Sequence, residues 1–253
     1  MGSTICPFSR NERRNHNFSQ RPVVIKFLIS RSASLLPQSA VGHLGWVRGA
    51  IGGGLAILTS GIATYVLLGA NTGALPTLVA PLGASAVLVF AVPASPLAQP
   101  RSVIGGNLLS AAIGLGIGHA IGQPVLSAGL AVGIAIGIMS MARCLHPPGG
   151  ACALLCALGA AGPDAWSWSY LVPIGINVLA LSAGGWIYNN VTGHPWPHHA
   201  KLPTASPHEP RPTFTHEDLE AVLTEWNEVI DVDVDDLGAI YQALQRRVEA
   251  RSR

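Results

Sequence analysis

Hydrophobic residues fill the chain from position 49 to 189 almost without a break, and only Arg101, Arg143 and Asp164 carry formal charge among them. Prolines and short polar clusters cut this stretch into six apolar segments. Four of them, Gly49–Gly69, Val103–Ile121, Val125–Ala142 and Trp168–Tyr188, have the roughly 20 residues a helix needs to cross a bilayer. The other two, Leu75–Val92 and Leu145–Ala161, are interrupted by Pro81 and by Pro147-Pro148. Each keeps an unbroken helical stretch of about 11–13 residues, roughly half the hydrocarbon thickness.

The pattern occurs twice. Pro81-Leu82-Gly83-Ala84-Ser85-Ala86-Val87-Leu88 returns as Pro148-Gly149-Gly150-Ala151-Cys152-Ala153-Leu154-Leu155, and Ile104-Gly105-Gly106-Asn107-Leu108-Leu109 returns as Ile174-Gly175-Ile176-Asn177-Val178-Leu179. The first offset is 67 residues (81 to 148) and the second is 70 (104 to 174), so the copies differ by a short insertion. Three segments per copy make the copies run in opposite senses through the membrane. The predicted fold class is therefore an all-α polytopic membrane protein with about six membrane segments. They form an inverted 3+3 repeat whose segments 2 and 5 are Pro/Gly-broken half-helices. Gly114-x3-Gly118-x3-Gly122 and Gly129-x3-Gly133-x3-Gly137 offer two small-residue faces for close helix packing.

Composition agrees with this and divides the chain. With 49% hydrophobic residues and 11% charge, it is not a soluble domain of ordinary make-up. Seven basic residues, Arg10 to Arg48, precede the apolar core, while ten of the 13 acids follow Pro212. Four domains follow: 1–45, a basic cytoplasmic arm expected to be disordered; 46–192, the transmembrane domain; 193–212, a Pro/His-rich linker; and 213–253, an acidic cytoplasmic helical hairpin. Lys26 interrupts the only early apolar run, so the start does not read as a secretory signal. With the N-terminus inside and six crossings, Arg101, Arg143, Lys201 and Arg211 all fall on the cytoplasmic side, and the opposite turns carry no Lys or Arg. In the hairpin, Thr215 with Asp218 reads as an N-cap and Asp233 as a second. Cys144, Cys152 and Cys156 read as small buried thiols, and neither a metal nor a cofactor is expected.

The chemistry centres on the two broken segments. Gly83-Ala84-Ser85 and Gly149-Gly150-Ala151 each open a half-helix just after a proline, Pro148 in the second case. Helix N-termini offer unpaired N–H groups and partial positive charge, and glycine lets a ligand approach them. Two such termini facing each other near the bilayer centre would bind a small anion without a buried full charge. Ser85 adds a hydroxyl and His146 a titratable donor, while Asn107 and Asn177 occupy equivalent places in the two copies. Arg101 and Arg143 would line the cytoplasmic mouth.

Leu145-His146-Pro147-Pro148-Gly149-Gly150-Ala151 resembles the signature of the HPP family of integral membrane proteins. Gly83-Ala84-Ser85-Ala86, Ser95-Pro96-Leu97-Ala98-Gln99-Pro100-Arg101 and Tyr188-Asn189-Asn190-x-Thr192-Gly193-His194 are similar to that family as well, and the resemblance runs from about Trp46 to His199. It implies a multi-helix membrane protein, and association of plastid members with nitrite transport implies a small anionic substrate. Some bacterial relatives have Pro-Pro-Ala-Gly where this chain has Pro-Pro-Gly-Gly. Others continue into two nucleotide-binding CBS domains. This chain carries the acidic helical lead-in, Phe214 to Val248, without those domains, so nucleotide regulation is not expected.

The expected function is passive or proton-coupled movement of a small monovalent anion, nitrite first, by a transporter or channel in a bacterial inner membrane with both termini cytoplasmic. His146 decides between a passive pore and proton coupling, a choice the sequence leaves open. No enzymatic activity is expected. The alternatives are a membrane sensor or scaffold recruiting a partner through its C-terminal hairpin, and an intramembrane serine hydrolase built on Ser85 with His119 or His146 as base. Membrane lipid and the anion are the expected partners, a homo-oligomer is left open, and nucleic acid is not expected. Asp164, the sole acid of the core, argues against metal-dependent transferases, which need clustered carboxylates.

Overall fold

The computed structural model describes residues 45–69, 75–199, 215–226 and 232–252, and among these it is built of helices and turns with no strand. The basic arm expected over 1–45 and most of the linker lie outside the described residues. Helix α1 spans Gly45–Leu68, α2 Pro81–Ala91, α3 Gly106–Ile121, α4 Pro124–Met141, α5 Pro147–Ala160 and α6 Leu171–Val191. A π-helical turn, Arg101–Gly105, leads into α3, and a short 3-10 turn, Trp168–Tyr170, leads into α6. Two further helices, α7 (His216–Trp226) and α8 (Val234–Ser252), follow. Counted with their lead-in turns, four helices are long and apolar enough to cross a membrane, and α2 and α5 are shorter apolar helices.

The prolines account for the short helices. Pro81 and Pro147-Pro148 stand in the first turns of α2 and α5, where a missing N–H costs no helical hydrogen bond. At 11 and 14 residues, the two helices are about 16 and 21 Å long. The end of α3 is set by Gly122, which takes the left-handed conformation (φ 68°) that glycine adopts without strain.

The packing is that of a protein solvated by hydrocarbon. α1 buries only small residues, Gly49, Gly52, Ala56, Ser60 and Thr64, while Ile51, Leu55, Leu58, Ile62 and Val66 face outward. α4 buries mostly small residues too, Ser127, Ala128, Ala131 and Ala135 with Met139, and exposes Val125, Leu126 and Met141. α6, in contrast, buries Ile174, Val178 and Leu181 and exposes Leu179, Ile187 and Val191. In lipid, large apolar side chains gain nothing by burial, and small ones let helix backbones approach. The protein is accordingly an integral membrane protein.

One of the two small-residue faces is used within the chain at Gly114 and Gly118, though not at Gly122, which is exposed. A Cβ on Gly114 would lie 2.4 Å from the Ala153 carbonyl oxygen, and one on Gly118 would lie 2.7 Å from that of Ala157. α3 and α5 therefore touch backbone to backbone. Gly129, Gly133 and Gly137 of α4 are exposed, and a Cβ on any of them would meet nothing within 4 Å. The central helices pair as α1 with α2 and α6, α4 with α5 and α3, α5 with α3, α2 with α6, α2 with α5, and α3 with α6.

In the C-terminal region, Thr215 and Asp218 form the expected reciprocal cap. The Thr215 N–H donates to Asp218 at 2.7 Å, and the Asp218 N–H donates to the Thr215 hydroxyl at 3.2 Å. Asp233 caps α8 by accepting from the Asp235 N–H at 2.9 Å. His198, just after the membrane domain, pairs with Asp236 of α8 at 2.9 Å.

Gly114→Val should force α3 and α5 apart and cost about 1–3 kcal/mol, whereas Gly133→Val should leave stability nearly unchanged. Thermal denaturation of detergent-solubilised variants, followed by size-exclusion chromatography, reads the difference. The N–H and then the hydroxyl of Thr215 hold the Asp218 carboxyl below its ordinary range. A depressed carboxylate stabilises the fold above the ordinary range, and that support is lost as pH falls through the depressed value. Amide protection in α7, taken relative to the intrinsic exchange rate at each pH, should therefore hold at neutral pH and fall only in strong acid, with Thr215→Val moving the fall to higher pH.

Candidate functional site

The two half-helices meet at their N-terminal ends. Ser85, in the second turn of α2, and His146, the residue capping α5, lie 2.8 Å apart between Oγ and Nε2. The other imidazole nitrogen, Nδ1, is 2.8 Å from the Leu97 carbonyl oxygen. A carbonyl only accepts, so Nδ1 carries the proton and Nε2 is the acceptor. The Ser85 hydroxyl consequently donates to Nε2. Asn107 of α3 donates from Nδ2 to Ser85 Oγ at 3.1 Å and to the Val103 carbonyl at 2.9 Å. The result is a directed chain, Asn107 to Ser85 to His146 to Leu97, and its three polar side chains have no solvent-exposed surface.

Each member is held from outside the chain of bonds. The π-helical turn before α3 widens the backbone there and places Val103 under the Asn107 amide. Gly106 gives His146 room, since a Cβ at 106 would lie 2.5 Å from the His146 Cβ. Leu97 sits in a 3-10 turn, Pro96–Ala98, whose Ala98 carbonyl accepts from the buried Trp196 indole at 2.9 Å. Trp196, beyond the end of α6, thus fixes the turn that orients His146.

The remaining expected residues take different roles. Gly83, Ala84 and Ala151 are exposed, Gly150 is half-buried with open space at its Cβ, and Pro148 is buried. Gly149 is a packing residue, because its Cβ would lie 2.8 Å from the Gly106 carbonyl. Gly83 lines an apolar groove of about 440 Å³ with Gly49, Gly53, Gly54 and Ile57 of α1.

The expectation of unpaired N–H groups at the two termini is corrected. Pro81, Pro147 and Pro148 have none, Leu82 and Gly83 donate to Val79 and Ala80, and Gly149 donates to His146. The prolines that start the half-helices also empty them of free donors. What remains at the meeting point is the positive helix-end potential, one hydroxyl and one imidazole.

Asn177 builds a separate network. Its Oδ1 accepts from the Val79 N–H at 3.2 Å, and its Nδ2 donates to the Thr77 carbonyl at 3.0 Å and to the Thr64 hydroxyl of α1. Asn107 and Asn177 therefore occupy equivalent places but act apart, Asn107 bonding Ser85 inside α2 and Asn177 the backbone just ahead of it. Arg101 donates to the Ala142 carbonyl at 2.7 Å and caps α4, while Arg143 is exposed in the left-handed conformation (φ 52°). Among the described residues no cluster of His, Cys, Asp and Glu is arranged to hold a metal.

Sequence reasoning treated Arg48 only as part of the basic flank. Its guanidinium donates to Asn189 Oδ1 at 2.7 Å, to the Phe90 carbonyl at 2.8 Å and to the Thr192 hydroxyl at 3.3 Å. Tyr188 donates to the Arg48 carbonyl at 2.9 Å, and Asn189 to that of Val89 at 2.9 Å. This clamp ties the start of α1 to the ends of α2 and α6. The available signal was the polar string Tyr188-Asn189-Asn190-x-Thr192 closing an otherwise apolar segment.

Residues 38–197 match the family model described as HPP, transmembrane region. The chain is 35% identical over 119 residues to a transmembrane protein of Dictyostelium discoideum, covering 45% of this chain and 41% of that protein. A second transmembrane protein of the same organism is 39% identical over 113 residues, covering 42% of this chain and 36% of its own. The chain thus spans well under half the length of these curated relatives. No solved structure matches.

Asn177→Leu should orphan the buried Val79 N–H, while the Thr64 hydroxyl keeps its bond to the Ser60 carbonyl, and should lower stability by about 1–3 kcal/mol. Melting of the purified variant in detergent against wild type checks this; an unchanged midpoint would remove Asn177 from the framework.

Proposed function

The chain belongs to the HPP transmembrane family, and on that premise we propose that it moves a small monovalent anion across the membrane as a transporter or channel, with nitrite the first candidate. The observation that carries this reading is the 2.8 Å bond from Ser85 to His146 at the junction of two half-helix N-termini. Helix N-termini directed at one point give a region of positive potential without a formal charge, which suits a small anion in a low-dielectric setting. His146 and Ser85 stand nearest that point, with Asn107 behind them; the glycines on either side keep the surrounding backbone slim. Arg101 and Arg143, on the same side of the bundle as the turn holding Leu97, would draw anions to the entrance.

The architecture we favour is an inverted 3+3 repeat that places all six helices in the membrane. Exchanging α1 with α4, α2 with α5 and α3 with α6 turns the set of helix pairings into itself. A repeat related by a two-fold axis in the membrane plane requires that property. Arg48, Arg101 and Arg143 gather where α1 and α3 begin and α2, α4 and α6 end. We assign this face to the cytoplasm by the positive-inside rule, in a bacterial inner membrane.

A serine hydrolase is the second reading, favoured by the Leu97 carbonyl, which orients the imidazole beside the Ser85 hydroxyl. The full burial of both side chains argues against the hydrolase, since a bulky acyl group has no approach to Oγ. A scaffold role would draw on Ile240, Leu244 and Val248, exposed on one face of α8.

Proteoliposomes should take up nitrite well above the protein-free rate, and Ser85→Ala should lower uptake about tenfold or more. A fluorophosphonate probe should not label Ser85. Uptake at the protein-free rate for nitrite, nitrate and formate alike would overturn the reading, and Ser85 labelling would favour the hydrolase.

A further inference from the structure

Two independent features of the Ser85–His146 junction bear on what it can bind. The first is the direction of its hydrogen bonds. Asn107 donates to Ser85, Ser85 to His146 Nε2, and His146 Nδ1 to the Leu97 carbonyl. Every side-chain donor in the chain is spent, and the neighbouring backbone N–H groups of Leu82, Gly83 and Gly149 are bonded too. As it stands the junction has nothing to donate to an anion. The second feature is Asn107 Oδ1, the other end of the same amide, a fully buried acceptor with no partner. A buried carbonyl oxygen left unpaired is costly, and it calls for a donor. The first feature asks for a proton to arrive with the ligand; the second marks a buried polar site that the resting network leaves unsatisfied.

We propose that the junction binds its anion only together with one proton, so that the species handled is the equivalent of a neutral monovalent weak acid. This rests on the anion-transport reading. The proton is taken up at Nε2 of His146, the one imidazole position that lacks it. Nε2 then changes from acceptor to donor, and the Ser85 hydroxyl, released from donating to it, can donate to the ligand in place of its one other acceptor, the Pro81 carbonyl at a long 3.5 Å. The anion so gains two donors and an adjacent positive charge, and loses both when the proton leaves.

Charge balance makes the coupling mutual. An imidazolium at two positive helix ends, with no counter-charge, is strongly disfavoured, as is a bare anion facing only acceptors. The groups packed around His146 supply no alternative. Ser85 on α2, Gly106 and Asn107 on α3 and the Leu97 turn carry no charge. Cys144, two residues away in the chain, is a buried thiol set against Gly105. Arg101 and Arg143, on the adjoining turns, are exposed. Asp164, the core's one carboxylate, is exposed in the turn between α5 and α6. The counter-charge for the proton is the anion, and the reverse holds by linkage.

The test measures proton uptake when nitrite is added to the full-length purified protein in weakly buffered detergent solution. The same titration is repeated between about pH 5 and pH 8, where an imidazole exchanges its proton. The expected result is close to one proton taken up per nitrite bound at neutral pH, with the apparent Kd rising about tenfold per pH unit on the alkaline side. Ser85→Ala, which keeps the imidazole, should bind more weakly yet retain the proton uptake and the pH slope. His146→Gln should abolish both. In proteoliposomes, nitrite uptake should acidify the lumen and should not respond to a potassium diffusion potential set with valinomycin. Nitrite binding or flux without proton uptake, or with a Kd flat across this range, overturns the coupling and leaves the transport reading standing. No binding and no flux of any small anion overturns both.

Discussion

Inside a bilayer every backbone N–H and C=O needs a partner within the protein, and the rest of this structure follows from how that demand is met where two helices are broken. The four long segments meet it by themselves. The half-helices α2 and α5 do not, because the chain must enter each through irregular backbone at membrane depth. Asn177 bonds both the N–H of Val79 and the carbonyl of Thr77 ahead of α2. His146 bonds the carbonyl of Leu97 on the approach to α3 and the hydroxyl of Ser85 across the junction. These are uncharged side chains that donate and accept at once, the type that satisfies stray backbone without the cost of a buried ion.

Close packing serves the same end. Gly106 and Gly149 bring α3 and α5 near enough for His146 to reach α2, and Gly114 and Gly118 extend that approach along the helices. Beyond the membrane segments, Trp196 holds the Leu97 turn and the Arg48 clamp holds the ends of α1, α2 and α6. The polar junction is therefore supported from both sides by elements distant in sequence. A rigid frame around a small set of reversible hydrogen bonds is what the proposed proton-dependent binding at the junction requires.

Much of this was legible in the chain itself. The six segments, the two short ones and their starting prolines follow from hydropathy and proline position. Asn107 and Asn177 stood out because an amide in an apolar helix is costly without a task. Of the face Gly114-x3-Gly118-x3-Gly122, the first two glycines are a contact between helices as their spacing suggested, and Gly122 is the exposed end of α3. The similar Gly129-x3-Gly133-x3-Gly137 face is exposed, and spacing could not tell the two apart because both satisfy the same steric rule. The helix termini were read as open donors, whereas the residues just before each proline turn back to accept them.

By itself the sequence determined a membrane-embedded, all-helical chain with two broken helices and a small set of polar residues in its apolar core, because hydrocarbon solvation and proline geometry act locally along the chain. Only the tertiary structure decided that Ser85 meets His146, that Asn107 and Asn177 work apart, and that Arg48 is a clamp rather than a free cation. Those outcomes depend on which helix faces which, and hence on backbone approach distances and hydrogen-bond directions that residue identity leaves undetermined.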